Sequence, residues 1–282
     1  MYKSLNPGLV GINADGFADC LALAKRHGFG AVGYNPDALL AEGLDAAHAQ
    51  DLMGQHGVII SDFGLPINIT SRDAFNEGFP GLEKCAKLAA QLGIRRCSTW
   101  MLSFSNDYEY AENFKCHVWM FRLIAEVLRE YGIRFGVEFL GPKSIIANGK
   151  YPFVHTIEQM LELCDAVGTG NVGLLVDAHH CYSSGLPGGA FAKYIRSEQD
   201  IVHVHINDSA KALSVDEQKD SPRYYPGEPG GGANDLRGFM NALRDLKYTG
   251  AVAAEPFSEG LKGLDNDAIA KIISESTDSV WR

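Results

Sequence analysis

Strand-like and helix-like segments alternate along this chain from one end to the other, and that alternation restricts the fold more than any other feature of the sequence. Eight stretches read as strands: LVGIN at 9–13, AVGYN at 31–35, VIISDFGL at 58–65, RRCSTWML at 95–102, RFGVEFL at 134–140, VGLLVDAHH at 172–180, IVHVHIND at 201–208 and AVAAEPF at 251–257. Helices are predicted between and after them, at about 16–27, 36–56, 75–92, 108–131, 155–167, 234–247 and 265–280. In the third of these, Phe75, Leu82, Cys85, Leu88, Ala89 and Leu92 recur at helical spacing. Thr156 suits an N-cap, as does Asn234 or Asp235. Eight strand-plus-helix units are what a closed (β/α)8 barrel of the α/β class needs. Several strands are near-continuous apolar runs, as expected where both faces are buried. At 282 residues the chain fits one such domain over 1–282, without a linker or repeat. An open doubly wound sheet is the rival architecture, but no Gly-rich fingerprint follows the first strand.

Composition narrows the class of partner. Hydrophobic residues make up 46% and charged residues 21%, a globular balance with material for a large core. The net charge of -10, from 35 acidic and 25 basic residues, opposes binding to a nucleic acid backbone. The N-terminal segment lacks the apolar core of a secretory signal, and no apolar run approaches the roughly 20 residues that cross a bilayer. The cysteines at 20, 85, 97, 116, 164 and 181 are scattered without a C-x-x-C pair, which points to reduced thiols in the cytoplasm.

Charge interrupts four successive strands near their ends. Glu138 sits in GVEFL, Asp177 in LLVDAHH, His205 in HVHIN and Glu255 in AAEPF. An ionised carboxylate inside a barrel is costly unless it is paired, hydrogen-bonded or bound to metal. Each residue alone also fits a cap, a salt bridge or a satisfied core position; it is the convergence of four that implies a site at the C-terminal rim, where barrel enzymes keep theirs. Strand alternation turns Gly136 and Arg134 inward with Glu138, and Ala253 and Ala251 inward with Glu255, leaving room at the top. His203 shares a face with His205 and reads as a barrel-interior residue. Three carboxylates and one imidazole suit a divalent cation, Mn²⁺ best, with Mg²⁺, Co²⁺ or Zn²⁺ as alternatives.

The stretches GVEFLGPK at 136–143, LLVDAHHCYSSG at 174–185, VHVHIND at 202–208, PGEPGGGANDLRGFMNAL at 226–243 and AVAAEPFSE at 251–259 resemble the sugar phosphate isomerase/epimerase family, the xylose isomerase-like TIM barrels. The resemblance implies that Glu138, Asp177, His205 and Glu255 bind the metal and that His180 contacts substrate. The sequence departs from the ketose 3-epimerases at two places. Their second Glu, six residues past the fifth-strand ligand, is here Ser144, beside Lys143. Their Arg, six residues past the seventh-strand His, is here Lys211, and Lys does not replace a bidentate Arg conservatively.

From these features the expected activity is a metal-dependent isomerase or epimerase acting on a sugar or keto-polyol. It would move a proton next to a carbonyl through an enediolate, with Glu138 and Glu255 as the acid/base pair. Two long loops, about 141–154 and 209–233, would supply specificity. His180, Lys143, Lys211 and Arg223 are candidates for binding substrate, and Trp100 for stacking on a sugar. Arg223, Tyr224 and Tyr225 equally suit a contact between copies in a homo-oligomer. Loss of a hydroxyl from the same intermediate would make the enzyme a dehydratase or lyase on a keto-sugar or keto-inositol, and a non-catalytic homologue would keep every ligand. A DNA-repair endonuclease of this superfamily would need histidines on strands two to four, which carry none.

Overall fold

A computed structural model describes residues 1–281. Eight parallel strands close a barrel in chain order. They are β1 (Tyr2–Leu5), β2 (Ala31–Gly33), β3 (Ile59–Gly64), β4 (Arg96–Met101), β5 (Arg134–Phe139), β6 (Val172–Asp177), β7 (Ile201–Ile206) and β8 (Ala251–Ala254). The ring closes where Tyr2 and Ser4 of β1 pair with Ala251 and Ala253 of β8.

The first strand is not where the apolar pattern suggests. LVGIN was expected to begin the barrel, but Pro7–Val10 form one helical turn that ends at Gly11, whose φ of 78° is the left-handed cap conformation. Val10 and Ile12 are buried there as packing residues. The strand is the more polar YKSL, whose polar side chains find partners: Ser4 Oγ lies 2.7 Å from the buried Ser61 Oγ, and Lys3 Nζ pairs with Asp278 at 2.8 Å.

Two expected helices are each divided. The segment 36–56 breaks into Pro36–Ala41 and Ala46–His56, with Gly43 at φ 75° and Asp45 capping the second piece through the His48 amide at 2.9 Å. The segment 75–92 becomes Arg72–Gly78 and Leu82–Gln91, joined by a tight turn containing Pro80. The long helix Tyr110–Glu130 and the helices Ile157–Val167 and Leu236–Asp245 lie where predicted, the last two capped by Thr156 and Asp235.

Alternation on β5 shows how the strands serve two environments. Phe135 meets Phe121 of the long helix at 5.5 Å between ring centroids, so the odd-numbered side chains face the outer shell. Truncating a buried Phe such as this one to Ala costs about 3–5 kcal/mol. Gly136 and Glu138 then face inward, in register with Ser98 and Trp100 of β4. The expected open space over Gly136 is filled: a Cβ at that position would lie 2.9 Å from Val202 Cβ. Below the rim, His203 Nε2 lies 3.6 Å from Asp62 Oδ2, and its ring meets His205 edge-on at 5.0 Å.

Candidate active site

Four strand ends bring three carboxylates and one imidazole to one point. Glu138 is near the end of β5, Asp177 ends β6, His205 lies on β7 and Glu255 follows β8. The Glu255 amide donates to Ile206 O at 3.2 Å, which continues the sheet pairing to this residue. One ligating atom from each of the four lies within 4.8 Å of all the others, and all four residues are buried. His205 Nδ1 is 3.2 Å from Glu255 Oε2 and 3.7 Å from Glu138 Oε1. Yet neither His205 Nδ1 nor Glu138 Oε1 has a partner in hydrogen-bond geometry. Buried polar atoms are rarely left so, and an oxygen-rich donor set with unpartnered atoms aimed at one centre fits a divalent cation.

Asn207 braces this cluster. Its Nδ2 donates to Asp177 Oδ2 at 2.6 Å and to Glu255 O at 3.2 Å, and its Oδ1 accepts from the His179 amide at 3.0 Å. Asp177 also serves as a helix cap. β6 was expected to run through 180, but it ends at Asp177, whose Oδ1 accepts the His180 amide at 2.8 Å and starts the helix Ala178–Ser183. The carboxylate in the cluster and the helical turn behind it are therefore set by one side chain.

Burial and the nearby charge of Glu255 push the Glu138 carboxyl up to about 8. Burial also raises Asp177, to about 6, against the opposing pull of Arg223. For Glu255 burial acts in the same direction, but His205 and Arg223 outweigh it and hold this carboxyl down at about 2. Burial disfavours the His205 imidazolium, yet the two glutamates more than compensate and raise it well above the usual histidine value. That excess negative potential is what a cation would neutralise.

A second layer comes from the loop after β7. Arg223 is buried, with Nη1 2.9 Å from Glu255 Oε2 and 3.5 Å from Asp177 Oδ2, and its guanidinium lies 3.9 Å over the Phe257 ring. His180 is held by the Gly141 amide, which donates to Nδ1 at 3.3 Å. A Cβ on Gly141 would come within 2.3 Å of His180 O, so only glycine permits this approach. His180 Nε2 lies 3.5 Å from Arg223 Nη1 and 3.7 Å from Asp220 Oδ1. Asp220 was not among the residues expected at the site. Its Oδ1 is buried without a partner and lies 3.8 Å from Arg223 Nη2.

Comparison with known proteins places this geometry. The family model described as xylose isomerase-like TIM barrel matches residues 21–278. The chain belongs to that family. It is 27% identical over 154 residues to an inosose isomerase of Halalkalibacterium halodurans, covering 55% of this chain and 50% of that protein. It is 26% identical over 211 residues to a probable ketose 3-epimerase of Synechocystis, covering 73% of this chain and 65% of the other. The chain thus spans about half the length of the inosose isomerases it matches. Among solved structures, a xylose isomerase domain protein from Alicyclobacillus acidocaldarius superposes with a TM-score of 0.86 at 27% identity, over 100% of this chain and 98% of the other. The IolI protein with a bound zinc atom shares the fold, with a TM-score of 0.81 at 20% identity over 100% of this chain and 98% of that one.

Within this family framework, the remaining sequence candidates separate. Lys143 is turned to the surface, where its ammonium pairs with Asp216 at 2.8 Å. Lys211 is exposed, with its amide fixed to Gly230 O at 2.9 Å. Neither lysine is brought to the ligand cluster, since both lie on loop surfaces where a long cation keeps its hydration. Ser144 does not stand in for a carboxylate; its hydroxyl donates to Gln218 O at 3.2 Å and ties the two long loops together. Gln218 in turn donates to Ala210 O and Leu213 O at 2.9 and 3.1 Å. Trp100 stays half exposed beside Glu138 on the neighbouring strand. The signal that would have revealed Asp220 is its spacing from Arg223: both belong to the four-residue stretch DSPR.

Proposed function

We propose that the chain is a divalent-metal-dependent isomerase that moves a proton at the carbon next to a carbonyl of a sugar or keto-polyol, through an enediolate. The reading rests above all on the four-ligand cluster with two unpartnered, inward-facing atoms. Glu138, Asp177, His205 and Glu255 would hold the ion, and Mn²⁺ suits their three-oxygen, one-nitrogen set, with zinc as competitor. The bound ion would supply Lewis-acid stabilisation of the negative charge that develops beside the carbonyl. Inosose isomerase and ketose 3-epimerase relatives favour the same class of chemistry.

The residues divide the work by environment. His205 and Arg223 hold Glu255 ionised, so Glu255 can accept a proton, and Glu138, a carboxylate once an ion is held, would be the partner that exchanges one on the other side. Their strands are separated in the ring by β6 and β7, so the two carboxyls approach a substrate from different sides. His180 Nε2, an Arg223 N–H and the unpartnered Asp220 Oδ1 gather around one point, a set of donors and acceptors complementary to a substrate hydroxyl. The six cysteines are unpaired, in keeping with a reducing compartment such as the cytoplasm.

The test is to incubate the Mn²⁺-loaded protein in deuterated water with free ketoses, ketose phosphates and keto-inositols and to read deuterium at carbon by NMR. Incorporation next to the carbonyl, lost on removing the metal, is the expected result. A conjugated carbonyl absorbing in the ultraviolet would make the enzyme a dehydratase instead. Full turnover by metal-free protein would overturn the reading.

A further inference from the structure

Beside the ligand cluster, on the same rim of the barrel, lies a cavity of about 860 Å³ that the proton-transfer chemistry does not use. It opens between the segment after β3, the end of β4 with its following loop, and the first half of the helix Tyr110–Glu130. Trp100 joins it to the site. This residue lines the cavity and stands in register with Glu138 on the adjacent strand, about 4.8 Å away in backbone terms. The far wall is tied to the other long loop: Phe104–Ser105 pairs antiparallel with Tyr151–Pro152, and Asn106 accepts the Lys150 amide at 3.1 Å.

The lining has the character of a carbohydrate surface. Trp100, Tyr108 and Trp119 are 50%, 41% and 39% exposed, and all three face this one void. Large aromatics left in water are costly, and their clustering around a concave wall marks a binding surface. Arg72 lies 4.8 Å over the Trp119 ring and Phe75 5.3 Å from it, so the indole is fixed before any ligand arrives. The charged lining is balanced, Arg72 and Lys115 against Asp107 and Glu112, which suits a neutral, hydroxyl-bearing ring better than a phosphate. Pockets for drug-sized ligands measure roughly 300–1,000 Å³. A void near the top of that range, outside the ligand cluster, exceeds what a single ketose bound at the cluster would fill.

We propose that this cavity is a second subsite that takes a ring carried by the substrate, so that the preferred ligand is a glycosylated ketose or keto-polyol. The proposal rests on the reading that the ketose portion sits at the ligand cluster. Its test is calorimetric titration of the Mn²⁺-loaded full chain with fructose and with isomaltulose, a fructose bearing a glucosyl ring, while deuterium uptake in the same samples reads the ligand cluster separately. Isomaltulose should bind at least tenfold more tightly than fructose. Trp119→Ala, which removes a wall, and Cys116→Trp, which fills the void, should each bring the ratio of the two affinities to about one. Equal affinity of the unmodified protein for both sugars, or no binding of either, overturns the subsite. A preference that survives both substitutions does so as well. Deuterium uptake from fructose without a disaccharide preference would leave the proton-transfer reading standing and remove only the subsite. Tight isomaltulose binding without any uptake would do the reverse.

Discussion

The floor of the site and its wall are built on different principles. The floor consists of side chains on β5 to β8, each fixed by a strand whose neighbours are hydrogen-bonded on both sides. The wall comes from a loop, 209–233, held by the Gln218 side chain, which donates to Ala210 O, and by two backbone hydrogen bonds between Asp208 and Tyr224, at 2.7 and 3.1 Å. A strand fixes one residue on the basis of many others, so the floor admits little variation. A loop can exchange its charged residues while the barrel stays intact. In this chain the loop brings the carboxylate of Asp220 and the guanidinium of Arg223, three residues apart, to within 3.8 Å of each other.

If floor and wall divide the labour in this way, substitutions should separate them. Glu255→Gln removes a ligand charge and a proton acceptor together, so deuterium exchange should fall by about 10²–10⁴, with metal content reduced in the same preparation. Arg223→Met should lower kcat/KM by about 10², in line with roughly 2–5 kcal/mol for truncating one partner of a buried, hydrogen-bonded charge pair. Metal content by elemental analysis should stay unchanged; a metal-free Arg223→Met protein would break the division. The floor should also show a pH signature. A carboxyl raised to about 8 favours the folded state while protonated, and that contribution is lost as pH rises from its ordinary range through about 8. The metal needs the deprotonated ligand. The rise in Tm caused by Mn²⁺ should therefore grow as pH rises through about 6 to 8, where Asp177 and Glu138 lose their protons, as melts with and without metal would reveal. A flat profile would mean that these carboxyls are not ligands.

Asp220→Asn keeps the size of the side chain and removes its charge. It should raise KM about 20-fold, within the roughly 1.5–3 kcal/mol of a hydrogen bond to a charged group, and leave metal affinity alone. Lys143→Ala should be nearly silent, below about threefold in kcat/KM, because its exposed pairing with Asp216 contributes little. A large loss there would return Lys143 to the wall.

The floor was legible in the sequence for a physical reason. A carboxylate or imidazole in a Val- and Leu-rich strand stands out, and alternation fixes the direction in which it points. The wall was not, because loop residues have no period: Arg223 could be named only as one of several cations, and Asp220 lay unremarked in DSPR. The error at β1 has a related cause. A barrel is apolar outside its strands but polar at parts of its interior, so YKSL, with Tyr2 and Ser4 paired to Ala251 and Ala253, looked less like a strand than the buried turn that follows it. The division of the helix expected at 36–56 rested on Gly43 and Asp45, ordinary break and cap signals that a long helical pattern had overridden.

The double employment of Asp177 bears on how such a site could change over generations. Its carboxylate starts the helix behind the site and is braced by Asn207, so its replacement disturbs the scaffold as well as the ion. Glu138 has no such second duty, since its Oε1 takes part in no hydrogen bond. A lineage drifting away from metal dependence could discard Glu138 first and still fold, whereas Asp177 would persist as a structural relic long after the ion had gone.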